Sequence, residues 1–256
     1  VRILAPQPIM ISILKKLFSK KNIISNQNNL LVQLSKKSSI KKLFEIINNY
    51  SEESEIRYVG GCVRKSINNE KLDDIDLAIN LSPKDLMDIL KKHKINFFKT
   101  GIEHGTITAL INDEKFEITS LRKDIISDGR HAEVSFTKDW IEDSLRRDFT
   151  INAIYSDFYG NLFDPHEGIK DLADGKIKFI GDAEKRIKED YLRILRYVRF
   201  FLNYSKTKHS IDIKKNIRKN INGIFNLSSE RLIDELKKII KSKKFINIFK
   251  DDFCLE

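Results

Sequence analysis

The stretch "GGCVRKSINNEKLDDID", residues 60–76, decides how the chain is read. Two glycines and an arginine are followed, after a polar run, by aspartates at 74 and 76. Arg57, Tyr58 and Val59 just before it are strand-like, and a helix can begin after the glycines. A glycine turn between a strand and a helix lets backbone N–H groups approach a phosphate, and the helix N-terminus favours the anion. Arg64 stands one turn along and can reach the same group. Residues 74–79 alternate charged and apolar, as a half-buried strand does, so the i, i+2 spacing turns Asp74 and Asp76 to one face. Two hard oxygen ligands converging there suit Mg²⁺, with substrate phosphates and water completing its shell. Glu117, on a later expected strand, is a candidate third carboxylate. Taken alone, Asp-x-Asp is also what a solvated strand face offers, and a glycine pair is often only a tight turn. Their combination points to a nucleotide-handling site.

Working outward, residues 39–49 read as a short amphipathic helix. Ser82, Pro83 and Asp85 supply an N-cap, a proline at the first helical position and an acid in the first turn. Residues 105–111 and 115–121 flank Asn112-Asp113-Glu114 as a hairpin. Beyond Trp140 helical patterns dominate: 141–146, one long helix over 183–203, and 228–241. The expected fold class is therefore α+β, a mixed sheet with flanking helices followed by an all-helical region.

The composition points the same way. The chain has 256 residues, and Lys+Arg of 47 against Asp+Glu of 37 leaves a net charge of +10. That excess favours a polyanionic partner, nucleic acid ahead of an anionic membrane, although abundance of Lys, Ile and Asn accounts for part of it. Two cysteines form no disulfide framework, which suits a reducing compartment. The five histidines show no metal-ligand spacing, so no zinc site is expected. No apolar run approaches the ~20 residues that span a bilayer. Residues 1–44 carry no acid and accumulate lysine, which is similar to an organelle-targeting segment. The expected compartment is the cytoplasm, with an organelle as the alternative.

Further stretches carry clustered charge: "RRDFTINA" (146–153), "DPHEGIKDL" (164–172) and "EDYLRILRYVRF" (189–200). The last reads as an amphipathic helix with Tyr191, Leu195 and Val198 near one face and Asp190, Arg193 and Arg196 on another. Each alone is compatible with salt-bridged surface helices.

In their order these motifs resemble the class II tRNA nucleotidyltransferases (CCA-adding enzymes) and the bacterial poly(A) polymerases, of the DNA polymerase β-like superfamily. The likeness rests on G-G-x-V-R (Gly60, Gly61, Val63, Arg64), D-x-D (Asp74, Asp76), and the three stretches just quoted. "SSERLIDEL" (228–236) is similar to the last neck motif of that family. The resemblance implies a basic N-terminal segment and first helix over 1–50, a nucleotidyltransferase head over 51–160, and a helical neck over 161–256. It implies template-independent addition of CCA to tRNA 3′ ends from CTP and ATP, at two Mg²⁺ ions held by Asp74 and Asp76. Gly60, Gly61 and Arg64 would lie at the triphosphate, and Arg146, Arg147 and Asp148 at its sugar and phosphates. Asn152, Arg196 and Arg199 would complete the nucleotide-binding set, and Asp190 and Arg193 would read the base.

That last role has a physical rationale. A helix presents residues three apart side by side. A carboxylate accepts from the exocyclic amine of C or A, while the carbonyl of U or G would face and repel it. Residues 122–139 occupy the place of the family's flexible loop, with Arg122, Asp124 and Arg130 as functional members. Two departures are visible. Lys65 stands where the family usually has aspartate, and little sequence follows the last neck motif. RNA affinity would then come from head, neck and lysines, including the strip over 210–223, or from a partner chain or second copy. Poly(A) or A-only addition, and a non-catalytic RNA-binding module, are the alternatives.

Overall fold

The computed structural model describes residues 23–25, 30–72, 74–127 and 132–256. The described chain enters as β1 (Ile23–Ser25), α1 (Leu30–Ser35) and α2 (Ser38–Asn48). Helix α2 buries Ile40, Leu43, Phe44 and Ile47, the stripe that a period of 3.6 predicts. Strand β2 (Ile56–Val59) runs into Gly60, and α3 (Gly61–Ile67) starts at once. Gly60 has a φ of 68°, which a side chain would strain, so the strand-to-helix reversal depends on glycine at this position. Next come β3 (Asp76–Ile79) and α4 (Pro83–Lys92), the latter capped by the Ser82 hydroxyl accepting from the Asp85 amide at 3.1 Å.

Strand β4 (Asn96–Gly101) leads to the hairpin β5 (Thr106–Ile111) and β6 (Glu114–Ser120). Its two turn residues, Asn112 and Asp113, have φ of 50° and 62°, as a type I′ turn requires. The strands β7 (Arg122–Ser127) and β8 (Ala132–Phe136) follow, then α5 (Trp140–Leu145), β9 (Tyr155–Ser156) and β10 (Asn161–Phe163). The remainder is helical: α6 (Gly168–Asp174), α7 (Ala183–Glu189), α8 (Leu192–Tyr204), α9 (Ile211–Asn220), α10 (Ser229–Ile240) and α11 (Asp252–Leu255).

Eight strands form one sheet in the order β1-β10-β9-β2-β3-β6-β5-β4. Strands β3 and β6 pair in parallel and the other described pairs are antiparallel, so the sheet is mixed, in agreement with the α+β expectation. One core, with Phe44, Tyr58, Leu77, Leu86 and Ile118, lies between the sheet and helices α1 to α4. A second core joins Phe149 and Ile151 to Phe179, Ile194, Tyr197 and Phe200 of the helical region. Ile67, at the end of α3, packs against both. Burial of ring area on this scale contributes roughly 2–3 kcal/mol per side chain, which locks the "RRDFTINA" segment between sheet and helices.

Four expectations are corrected. The helix expected over 183–203 is two helices, because Asp190 adopts φ −156° and ψ 105°, an extended conformation that ends α7. Helix α8 turns Ile194, Tyr197 and Phe200 inward as its main apolar face, whereas Leu195 and Val198 pack on a smaller cluster with Leu202 and Ile239. Strand β3 begins at Asp76, so Asp74 lies two residues ahead of it and the same-face argument does not apply. Within the stretch 122–139, expected as a flexible loop, residues 122–127 and 132–136 pair as β7 and β8 in a two-stranded sheet of their own.

Candidate active site

The chain turns that meet at the C-terminal end of β2 and the N-terminal end of β3 open into a cleft of about 680 Å³. Gly60, Gly61, Arg64, Asp74, Asp76, Arg146, Arg147, Asp148, Asn152, Asp190, Arg193, Arg196 and Arg199 all line it, as does Arg122. The cleft thus gathers nearly all the sequence-predicted site residues, from segments more than a hundred positions apart.

One wall is acidic. Asp76 is paired in register with Glu117 on the parallel neighbour β6, so the two carboxylates share a face. Burial pushes the Asp76 carboxyl up, and the charges of Glu117 and Asp74 add to this against the opposing pull of Arg147 and Arg64. Carboxylates that crowd one another in this way are what a divalent cation neutralises, and their oxygens are the donor set that Mg²⁺ takes. The residues present therefore fit that ion, with Asp74 and Asp76 facing the cleft and Glu117 beside them. Gly61 stands beside this wall: a Cβ there would meet Asp76 Oδ2 at 3.8 Å, an ordinary contact. The Gly60 amide donates to the Ile154 carbonyl, so an anion at this turn is left the first-turn amides of α3 rather than that of Gly60.

Much of the remaining lining is arginine, and each arginine is held. Asp143, fully buried, accepts from Arg146 Nε at 2.8 Å and from Arg147 Nη2 at 3.0 Å, while the Tyr155 hydroxyl donates to it at 2.8 Å. Burial would push the Asp143 carboxyl up, but Arg147 and Arg146 hold it well below the usual range. Arg186 donates to the Arg146 and Arg147 carbonyls and fixes the turn itself. Asp148 spends its carboxylate on Arg196 at 2.7 Å, the Phe149 amide and Asn152. Burial opposes ionisation here too, yet Arg196 draws its pKa down to about 2. Asn152 also accepts from Arg64, whose guanidinium lies 4.8 Å from the Phe200 ring centroid. Arg199 is paired with the buried Glu235 of α10 at 2.5 Å.

The base-reading pair is arranged differently from the expectation. Asp190 and Arg193 do not stand together on one helix. The Asp190 carboxylate accepts from the Leu192 amide at 3.1 Å and from Arg231 of α10 at 2.8 Å. Arg193 donates to Glu189 and to the Arg186 carbonyl, both at 2.7 Å. Asp190 stands just ahead of α8, where its carbonyl accepts from the Arg193 amide at 3.0 Å, and both residues line the cleft. In the β7–β8 hairpin, Arg122 bonds the His104 carbonyl and lines the cleft. Burial and the nearby charge of Arg146 lower its pKa to about 10. Asp124 lies in a neighbouring pocket with Arg186 and Glu189, and Arg130 falls outside the described residues.

Asp143, Arg186, Arg231, Glu235 and Lys238 escaped the sequence reading. Asp143 had a visible signal, standing three and four residues before Arg146 and Arg147, the spacing of helical ion pairs. Arg231 and Glu235 act across 41 and 36 residues, a separation that no local pattern reveals. Among the described residues, no helix is long and apolar enough to cross a membrane.

Known proteins match this arrangement. The family model for the poly(A) polymerase head domain matches residues 56–178, and that for the probable RNA and SrmB-binding site of polymerase A matches 210–251. The human protein "CCA tRNA nucleotidyltransferase 1, mitochondrial" is 43% identical over 204 residues, covering 78% of this chain and 46% of its own length. A CCA-adding enzyme of Staphylococcus haemolyticus is 37% identical over 207 residues, covering 78% of this chain and 50% of its own. The crystal structure of the Bacillus stearothermophilus CCA-adding enzyme in complex with CTP superposes with a TM-score of 0.68 at 30% identity, over 79% of this chain and 48% of that one. The chain thus spans about half the length of the relatives it matches. By its motifs, its mixed-sheet head with the helices that follow, and these likenesses, the chain belongs to the family of CCA-adding enzymes and poly(A) polymerases.

Proposed function

We propose that this chain carries the catalytic part of a template-independent tRNA nucleotidyltransferase, which adds or repairs the 3′ CCA from CTP and ATP with release of pyrophosphate. The observation that carries the reading is one cleft lined by Asp74 and Asp76 together with Arg64, Arg146, Arg147, Arg193, Arg196 and Arg199. Carboxylates that crowd one another suit metal binding, and rigid guanidinium forks suit phosphate oxygens. The names of the relatives, and the CTP bound to one of them, support this chemistry.

Asp74 and Asp76, with Glu117 behind them, would hold Mg²⁺, which when bound supplies Lewis acidity to the RNA 3′-hydroxyl and neutralises the triphosphate. Arg146 and Arg147, preset by Asp143, would position the triphosphate beside the carboxylates, with Arg64 and Arg196 as further cations of the same cleft. Lys65 adds a further cation to the cleft in place of the family's usual acid. Asp190 has a lone pair left beside Arg231 for the exocyclic amine of C or A, and Arg193 donates to the ring acceptors. An unmatched buried polar edge costs on the order of 1–3 kcal/mol, which disfavours U and G. The β7–β8 hairpin, anchored at Arg122, is the element suited to shift between C and A. A partner chain or second copy would extend the RNA grip, and cytoplasm and organelle alike supply the substrates.

The test is a labelled-nucleotide extension assay with Mg²⁺ on tRNA ending before CCA, after C and after CC. Ordered addition of C, C and A, then arrest, is the expected result. A long A tract, or A added only after CC, moves the assignment to poly(A) or A-adding activity. RNA binding with no incorporation of any nucleotide overturns catalysis by this chain.

A further inference from the structure

Outside the lining of the cleft, the loop after α8 and the segment after α10 bring together three side chains of metal-binding type. His209, Asp251 and Cys254 each present a ligand atom, all within 4.8 Å of one another. His209 Nε2 lies 3.0 and 3.1 Å from the two Asp251 oxygens and 3.6 Å from Cys254 Sγ. The His209 side chain is only 3% exposed. Its ring is stacked on Phe201 at 3.5 Å between centroids and closed edge-on by Phe253 at 4.7 Å. The other ring nitrogen, Nδ1, is 2.8 Å from the Tyr197 hydroxyl.

We propose that His209, Asp251 and Cys254 form a structural site for one divalent transition-metal ion of the zinc type, separate from the catalytic cleft. Zinc–ligand bond lengths make the edges of a tetrahedral site about 3.3–3.6 Å, close to the separations from His209 Nε2, and side-chain shifts of Asp251 and Cys254 would complete it. With Asp251 bound through one oxygen, the three residues supply nitrogen, oxygen and sulfur donors, and a water molecule completes the tetrahedron. Binding releases the thiol proton and leaves the imidazole hydrogen on Nδ1, where Tyr197 accepts it, the outer-shell bond that orients a metal-bound histidine. One thiolate and one carboxylate balance the ion's two charges, so the filled site is neutral within its aromatic surround. Lys214, whose ammonium lies 5.5 Å from the Phe253 ring centroid, opposes a cation and is offset by that balance. Burial lowers the His209 pKa, leaving a neutral ring able to ligate, while burial and Asp251 raise the Cys254 thiol to about 12, so the metal must displace a proton. The three residues lie 42 and 45 positions apart, which is why no motif of ligand spacing announced them. The ion would tie the final helix to α8 and leave the nucleotide chemistry untouched.

Cobalt is the probe, because a thiolate ligand gives it a charge-transfer band that carboxylate ligands alone do not. Cys62 lines the cleft, so its substitution tells a band from the cleft apart from one at Cys254. The chain, stripped with chelator, is titrated with Co²⁺ and its spectrum followed. One equivalent giving tetrahedral d–d bands and a thiolate charge-transfer band is expected. Both should be lost in Cys254→Ser and in His209→Gln but retained in Cys62→Ser. Zn²⁺ should displace the cobalt and raise the melting temperature by at least ~2 °C in the unsubstituted chain, and not in Cys254→Ser. Should Cys254→Ser fail to fold, the band in Cys62→Ser decides the matter, because Cys254 is then the one thiol left. Absence of the thiolate band, or its survival in Cys254→Ser, overturns the site and leaves a plain His209–Asp251 hydrogen bond.

Discussion

At the residue scale, the metal-holding role proposed for Asp76 stands against stability. Burial and the neighbouring Glu117 raise its pKa, so its ionised form weakens the fold near neutral pH. Asp76→Asn is expected to melt higher than the unsubstituted protein by roughly 2–4 °C per kcal/mol relieved, while nucleotide incorporation falls more than about 100-fold. Differential scanning fluorimetry beside the extension assay checks both. A variant that lost activity without gaining stability would show that the carboxylates are not in conflict. Asp148 has the opposite sign. Its folded pKa, about 2, lies below the unfolded value of about 3.9. Its contribution to stability is therefore complete above about pH 4 and is lost as pH falls toward 2. Acid titration of unfolding should show this loss in the parent chain and not in Asp148→Asn, which is less stable already at neutral pH.

Elements, rather than single residues, set where the arginines point. Helix α5 is short, yet its Asp143 fixes both Arg146 and Arg147, and Arg186 of α7 clamps their carbonyls. Asp143→Ala should cost about 3–5 kcal/mol of stability, since it strands two half-buried guanidinium groups, and should raise the KM for nucleotide. Chemical denaturation and steady-state kinetics measure the two effects. Helix α6 is seated on the same turn through Gly168, where a Cβ would strike the Thr150 carbonyl. Backbone cannot swing aside as a side chain does, so Gly168→Ala is expected to destabilise by about 1–3 kcal/mol. A neutral outcome in urea unfolding would mean that α6 slides freely. Periodicity located α2, α4 and the β5–β6 hairpin because their apolar stripe, cap and turn residues act locally. It merged α7 with α8, because the break at Asp190 is imposed by tertiary contacts with Arg231 and not by a glycine or proline.

For the whole molecule, the charge of +10 is the long-range quantity. Binding of tRNA should weaken steeply with salt, by about tenfold or more between 50 and 200 mM if a few phosphates are contacted, while nucleotide KM changes less. Fluorescence anisotropy across a salt series reads the slope, and a flat response would remove the polyanion from the account. The membership of the site was legible from the order of motifs along the chain, because glycine turn, carboxylate pair and arginine clusters are each local chemistry in a few residues. The α+β class followed likewise from local periods of two and 3.6. Folding decided the rest. Only the parallel pairing of β3 with β6 puts Glu117 beside Asp76, and only the closing of α10 onto α8 engages Asp190 with Arg231 and Arg199 with Glu235. The meeting of His209 with Asp251 and Cys254 belongs to the same class. Local patterns record what each residue does to its neighbours in sequence; partners dozens of positions away are selected by the packing of cores, which no short stretch encodes.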